Sequence, residues 1–137
     1  MPLRFLDTNI LIRLLTRDDE EKANRALTLL LRVEQGQEIV ETSSMVIFET
    51  IFLLEKSYRT ARTKIREDMN DLLALRGLRL ANKRIYNDAL DLYVDKKISF
   101  VDAYNAAFMQ SRRIREIYSW DRDFDRLAGI KRVEPAA

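Results

Sequence analysis

Short apolar runs alternate with stretches of helical periodicity along the chain, and this alternation restricts the fold more than any other feature. Residues 3–6 are the first short buried-strand candidate, ending at Asp7, and residues 10–15 then read as helix. The acids Asp18 to Glu21 form a favourable first turn for a helix over 22–34, because carboxylates suit the positive end of the helix dipole. Gly36 stops that helix, and 38–42 is a second strand candidate. Residues 44–57 and 62–75 read as helices, the latter ended by Gly77, with a short strand at 78–81. Helices at 84–95 and 99–113 follow, then strands at 116–119 and 131–133 around a short helical piece at 124–127. Short apolar strands each followed by helix predict an α/β fold with a mainly parallel sheet covered on both faces. No repeat, low-complexity tract or linker interrupts the pattern, so residues 1–137 read as a single domain. Such sheets bind ligands beyond the carboxyl ends of their strands, where Asp7 and Asp121 fall.

Two absences bound the chemistry. The 137 residues contain no Cys, which excludes disulfides, thiol nucleophiles and thiolate zinc sites. They contain no His, which excludes the Ser-His-Asp triad and imidazole metal sites. The three Gly are too scattered for a phosphate-cradling loop. Oxygen donors remain, and oxygen-only sites favour hard ions such as Mg²⁺ or Mn²⁺. A net charge of +2 permits a nucleic-acid partner without requiring one. No apolar stretch approaches the ~20 residues that span a bilayer. Asp7 arrives too early for a signal-peptide core, so a cytoplasmic protein with no membrane association is expected.

The acids differ in what surrounds them. Glu49 has Met45, Val46, Phe52 and Leu53 at helical neighbour positions and no base within reach. An unpaired buried carboxylate is costly, so a metal ligand is the better reading of Glu49. Asp7 fits a helix N-cap and a ligand equally well. Asp102, three residues after Ser99, reads by itself as part of a capping box, with Asn105 one turn further on the same face and able to support a ligand. Asp121, Asp123 and Asp125 alternate as in a calcium loop. That loop needs Gly and Glu where this chain has Arg126 and Arg132, so an EF-hand is rejected. Asp121 lies nearest the strand end, while Asp123 suits a cap or a supporting role. The bases Arg59, Arg62, Lys64 and Arg66, with Arg112, Arg113 and Arg115, suit either a phosphate backbone or a solubilising surface. The helices over 44–57 and 62–75, with Phe48, Phe52, Leu54, Tyr58 and Met69, carry more apolar surface than a small domain covers, which predicts an interface.

Four segments in order resemble the PIN-domain family, and specifically VapC-type toxins of toxin–antitoxin pairs. They are Phe5-Leu6-Asp7-Thr8-Asn9-Ile10-Leu11, Ser44-Met-Val-Ile-Phe-Glu49, Ser99-Phe-Val-Asp102-Ala103 and Tyr118-Ser119-Trp120-Asp121-Arg122-Asp123-Phe124. The last, followed by Leu127-Ala128-Gly129-Ile130, is the most specific. The resemblance implies a three-layer α/β/α fold and a metal-dependent endoribonuclease. It also implies a homodimer inhibited by a cognate antitoxin protein. By position it makes Asp7, Glu49, Asp102 and Asp121 the catalytic, metal-binding quartet, with Mg²⁺ or Mn²⁺ as cofactor. Thr8, Asn9 and Ser119 would line the site, Ser119 standing where the family usually has Thr. The family's fourth acid varies, so Asp123 is an alternative to Asp121.

Rival functions are narrower. A phosphohydrolase with an Asp nucleophile usually carries a second Asp two places on, where this chain has Asn9. A phospho-accepting receiver needs an acid closing its third strand, which here meets Asn82. A non-catalytic RNA-binding or scaffolding module of the same fold would not need all four acids.

Overall fold

Three strands of two residues each, β1 (Arg4–Phe5), β2 (Val40–Glu41) and β3 (Leu78–Arg79), pair in parallel in that order. Arg4 stands opposite Val40, and Val40 opposite Leu78. Hydrogen bonding continues one residue past each strand, from Leu6 N–H to the Glu41 carbonyl at 2.8 Å and from Thr42 N–H to the Arg79 carbonyl at 3.0 Å. The crossovers are helical, as parallel strands require. Helices α1 (Thr8–Thr16) and α2 (Glu20–Glu34) join β1 to β2, and α3 (Ser44–Lys56) and α4 (Arg62–Leu73) join β2 to β3. The computed structural model describes residues 2–136, which form two compact units divided between Ala81 and Asn82.

The first unit buries Leu6, Leu11, Val40, Ile47, Ile51, Leu54, Ile65 and Met69. Burial departs from the sequence reading over 3–6, where Phe5 of β1 is 59% exposed and only Leu6, just past the strand, enters the core. β1 stands at an edge of its sheet, so fewer neighbours cover it. Leu54 and Met69, expected on an apolar surface, are core residues instead. The apolar side chains left outside on α3 are Phe52, 60% exposed, and Met45, 74% exposed. Gly77 does more than end a helix. A Cβ there would lie 2.2 Å from the Glu38 carbonyl oxygen and 2.9 Å from that of Val33. The bare backbone lets the turn before β3 run against the start of β2, where Val40 N–H reaches the Gly77 carbonyl at 2.9 Å. Glu38, buried beside this turn, is paired with Arg32 at 3.3 Å and Arg4 at 3.7 Å.

The second unit opens with α5 (Lys83–Asp95) packed on α6 (Phe100–Ser111). Tyr86 meets Tyr104 with ring centroids 5.1 Å apart, and Tyr93 lies edge-on to Phe100 at 5.7 Å. β4 (Glu116–Tyr118) then pairs in parallel with β5 (Lys131–Val133), and a short 3-10 turn, Arg122–Arg126, lies between them. Phe124 in that turn, with Leu127 and Ile130, is buried. The α/β class with parallel strands is as the sequence predicts. Among the described residues no helix is long and apolar enough to cross a membrane.

Candidate metal centre

The site in the second unit is built by two caps. Ser99 holds the N-cap of α6, its Oγ accepting the Asp102 N–H at 3.1 Å, which sets Asp102 in the first turn. This is half of a capping box. Among the described residues the reciprocal bond, from Ser99 N–H to the Asp102 carboxylate, is not made. At the end of β4, Asp121 N–H donates to Ser119 Oγ at 2.9 Å, and the Asp121 carboxylate accepts the Asp123 N–H at 2.9 Å. Arg132 on β5 secures the same loop, donating to the Ser119 carbonyl at 3.2 Å while pairing with Asp125 at 3.1 Å and Glu134 at 2.7 Å.

These constraints bring three carboxylates together. One oxygen from each of Asp102, Asp121 and Asp123 lies within 4.8 Å of the other two. Burial holds the Asp102 carboxyl above the ordinary carboxylate range, and the neighbouring Asp121 and Asp123 raise it further, against a smaller lowering by the Ser99 hydroxyl. The one cation paired with the cluster among the described residues is the exposed Arg126, 3.6 Å from Asp123. Crowded carboxylates, two of them half-buried and Asp121 exposed, offer only oxygen donors and fit a hard divalent ion, which would relieve their repulsion.

Asp7 and Glu49 belong to the first unit. Asp7 occupies the N-cap position of α1, with φ −92° and ψ 159°, yet its side chain makes no capping bond. The cap position is real but the carboxylate is not spent on it. Its backbone is anchored from behind, because Thr42 Oγ1 donates to the Leu6 carbonyl at 2.9 Å. Thr8 is 3% exposed, and its Oγ1 is a buried polar atom without a hydrogen-bond partner. Asn9 is exposed. Glu49 is exposed on α3, beside the exposed Met45 and Phe52. The cost of burying an unpaired charge therefore does not apply to Glu49, since the apolar residues at its helical neighbour positions are partly solvent-facing themselves. Asn105 is exposed and has no hydrogen-bond partner among the described residues, so nothing ties it to Asp102. Asp123, read from sequence as a cap, a supporting residue or an alternative fourth acid, lies in the cluster. The alternating Ser119-x-Asp121-x-Asp123 pattern carried that signal, since the Ser119 and Asp121 side chains each accept the N–H two residues on.

Parallel strands followed by helices, with carboxylates at the end of β4 and in the first turn of α6, define an acidic α/β site. The chain belongs to the PIN domain family, whose model matches residues 4–130. It is 27% identical over 133 residues to a protein named VapC ribonuclease from Aquifex aeolicus (strain VF5), covering 97% of each chain. Among solved structures it is similar to Mycobacterium tuberculosis VapC20, described as a Sarcin-Ricin loop cleaving toxin. That match has 25% identity and a TM-score of 0.40, and covers 98% of this chain and 100% of the other.

Proposed function

We propose that this protein is a metal-dependent endoribonuclease, the toxin of a toxin–antitoxin pair, working as one nuclease domain in the cytoplasm. The observation that carries the reading is the convergence of Asp102, Asp121 and Asp123 within reach of a single ion. Membership of the PIN family and the full-length likeness to a VapC ribonuclease support it. On the family's motifs, residue by residue, Asp7, Glu49, Asp102 and Asp121 are the catalytic acids. Asp123 shares the fourth position, and Thr8, Asn9 and Ser119 line the site.

The chain's own residues have definable tasks. Asp102, Asp121 and Asp123 hold the ion, and the bond from Asp123 N–H turns the Asp121 carboxylate before any ion arrives. Mg²⁺ or Mn²⁺, when bound, supplies a more acidic water and charge stabilisation on the phosphate, so no histidine base is required. Hydrolysis by water leaves a 5′-phosphate and a 3′-hydroxyl. The Thr8 hydroxyl is buried without a hydrogen-bond partner, so it contributes no bond to the fold.

Two protein partners fit the surface. A groove of about 520 Å³ between α1, α2 and α4 has a leucine-rich wall that includes Leu14, Leu27 and Leu31, rimmed by Glu34, Asp68 and Asp71. Such a groove suits an amphipathic antitoxin helix with basic flanks. The Met45–Phe52 face of α3 is the surface we assign to a second copy of the chain. The test is incubation of purified protein with RNA and Mg²⁺ or Mn²⁺. Cleavage abolished by EDTA, with 5′-phosphate ends, is expected; intact RNA under every metal condition would overturn the reading.

A further inference from the structure

A cleft of about 600 Å³ runs between α1 and α2 and has no acidic residue in its lining. Lys22, Arg25, Leu29 and Arg32 enter it from one face of α2, at spacings of three, four and three residues. Asn9 and Arg13 face them from α1. Lys22 to Arg32 spans about 15 Å of helix, a length that suits a chain of phosphates better than one small anion.

The charge in this cleft is only partly neutralised. Arg13 is bonded to Asp18 at 2.6 Å and Arg32 to Glu38 at 3.3 Å, each through one nitrogen, which leaves further guanidinium N–H donors. Arg25 meets Glu21 at 3.9 Å with both side chains largely exposed, an ion pair that water and salt weaken. Lys22 has no ion-pair partner among the described residues. Lys22 and Arg25 are therefore the cations with charge to offer a ligand. Asn9 connects the cleft to the start of α1, since it lies in the first turn, two residues after Asp7 at the N-cap position.

We propose that the α1–α2 cleft holds the phosphodiester backbone of the RNA substrate, with Lys22 and Arg25 as its principal phosphate contacts. Choosing RNA over another polyanion rests on the nuclease reading above. Phosphate contacts of this kind position a strand without reading its sequence.

The test is binding of a fluorescently labelled single-stranded RNA to the full chain, with EDTA present so that no cleavage occurs, over a range of salt concentrations. Lys22→Ala combined with Arg25→Ala should weaken binding and make the plot of log affinity against log salt shallower by about 1.4, or about 0.7 per lost phosphate contact. Lys22→Arg combined with Arg25→Lys should retain both. Lys96→Ala with Lys131→Ala removes the same charge from exposed sites elsewhere and should change the slope little. If the cleft variant matches that control in affinity and slope, the proposal is overturned. Polyglutamate that competes as well as RNA would also overturn it, in favour of an acidic protein segment. Cleavage by the unmodified protein in Mg²⁺ or Mn²⁺ is scored separately. Binding through the cleft without cleavage removes the nuclease reading alone, and cleavage with a silent cleft variant removes the cleft alone.

Discussion

The Asp121 carboxylate accepts the backbone N–H of Asp123 at 2.9 Å, so one side chain caps the 3-10 turn and also brings a second carboxylate alongside itself. Capping and ligand roles are thus combined in Asp121, and two substitutions separate them. Asp121→Asn keeps an oxygen for the cap but removes the charge. RNA cleavage should fall at least a hundredfold, about 2.7 kcal/mol of transition-state stabilisation, while stability in urea holds. Asp121→Ala should lose cleavage and also about 1 kcal/mol of stability. Equal cleavage by the Asn variant and the unmodified protein would remove Asp121 from the site.

Asp102 sets the pH dependence. Its folded-state carboxyl is raised above the ordinary value of 3.8, first by burial and then by Asp121 and Asp123. The folded protein therefore takes up this proton at higher pH than the unfolded chain does. Ionised Asp102 destabilises the metal-free fold, fully above the raised value, and the penalty fades as pH falls through it toward 3.8. Asp102→Asn should melt higher than the unmodified protein at neutral pH in EDTA, with the gap closing under acid. The melting curves of the two proteins across pH check this. A variant that melts lower at neutral pH would mean that Asp102 is chiefly a cap.

Thr8 offers a second separation of stability from activity. Its buried hydroxyl lacks a partner, and leaving such a group unpaired costs about 1–3 kcal/mol. Thr8→Val removes the hydroxyl at nearly constant shape and should raise metal-free stability by about 1 kcal/mol. If that hydroxyl serves the site, cleavage falls in the same variant. Stability and cleavage that both stay unchanged would show that the hydroxyl has neither role.

Gly77 tests the fold rather than the site. A Cβ 2.2 Å from the Glu38 carbonyl cannot be accommodated without moving the start of β2. Gly77→Ala should cost about 1–3 kcal/mol or more by urea unfolding, in line with other overpacked positions. A neutral result would mean that this turn moves freely.

The sequence by itself determined what is local or excluded. The start of the helix after Ser99 was legible because an N-cap acts within one turn, Ser99 accepting the Asp102 N–H. The acids of 18–21 announced the second helix, which begins at Glu20 rather than 22 because Asp19 caps it, accepting the Lys22 N–H. Without Cys or His, thiolate and imidazole chemistry was excluded, and a metal site had to be built from oxygen donors. Tertiary structure decided burial and company, because these depend on what packs against a residue rather than on its neighbours in the chain. Phe5 reads as core yet is exposed at a sheet edge, while Leu54 and Met69 read as surface yet are enclosed. Glu38 drew no notice in sequence and is buried between Arg4 and Arg32. Asp102 read alone is an ordinary cap. It becomes a candidate ligand because the loop after β4, held by Arg132, brings Asp121 and Asp123 against the start of α6, where burial and like charge raise its carboxyl.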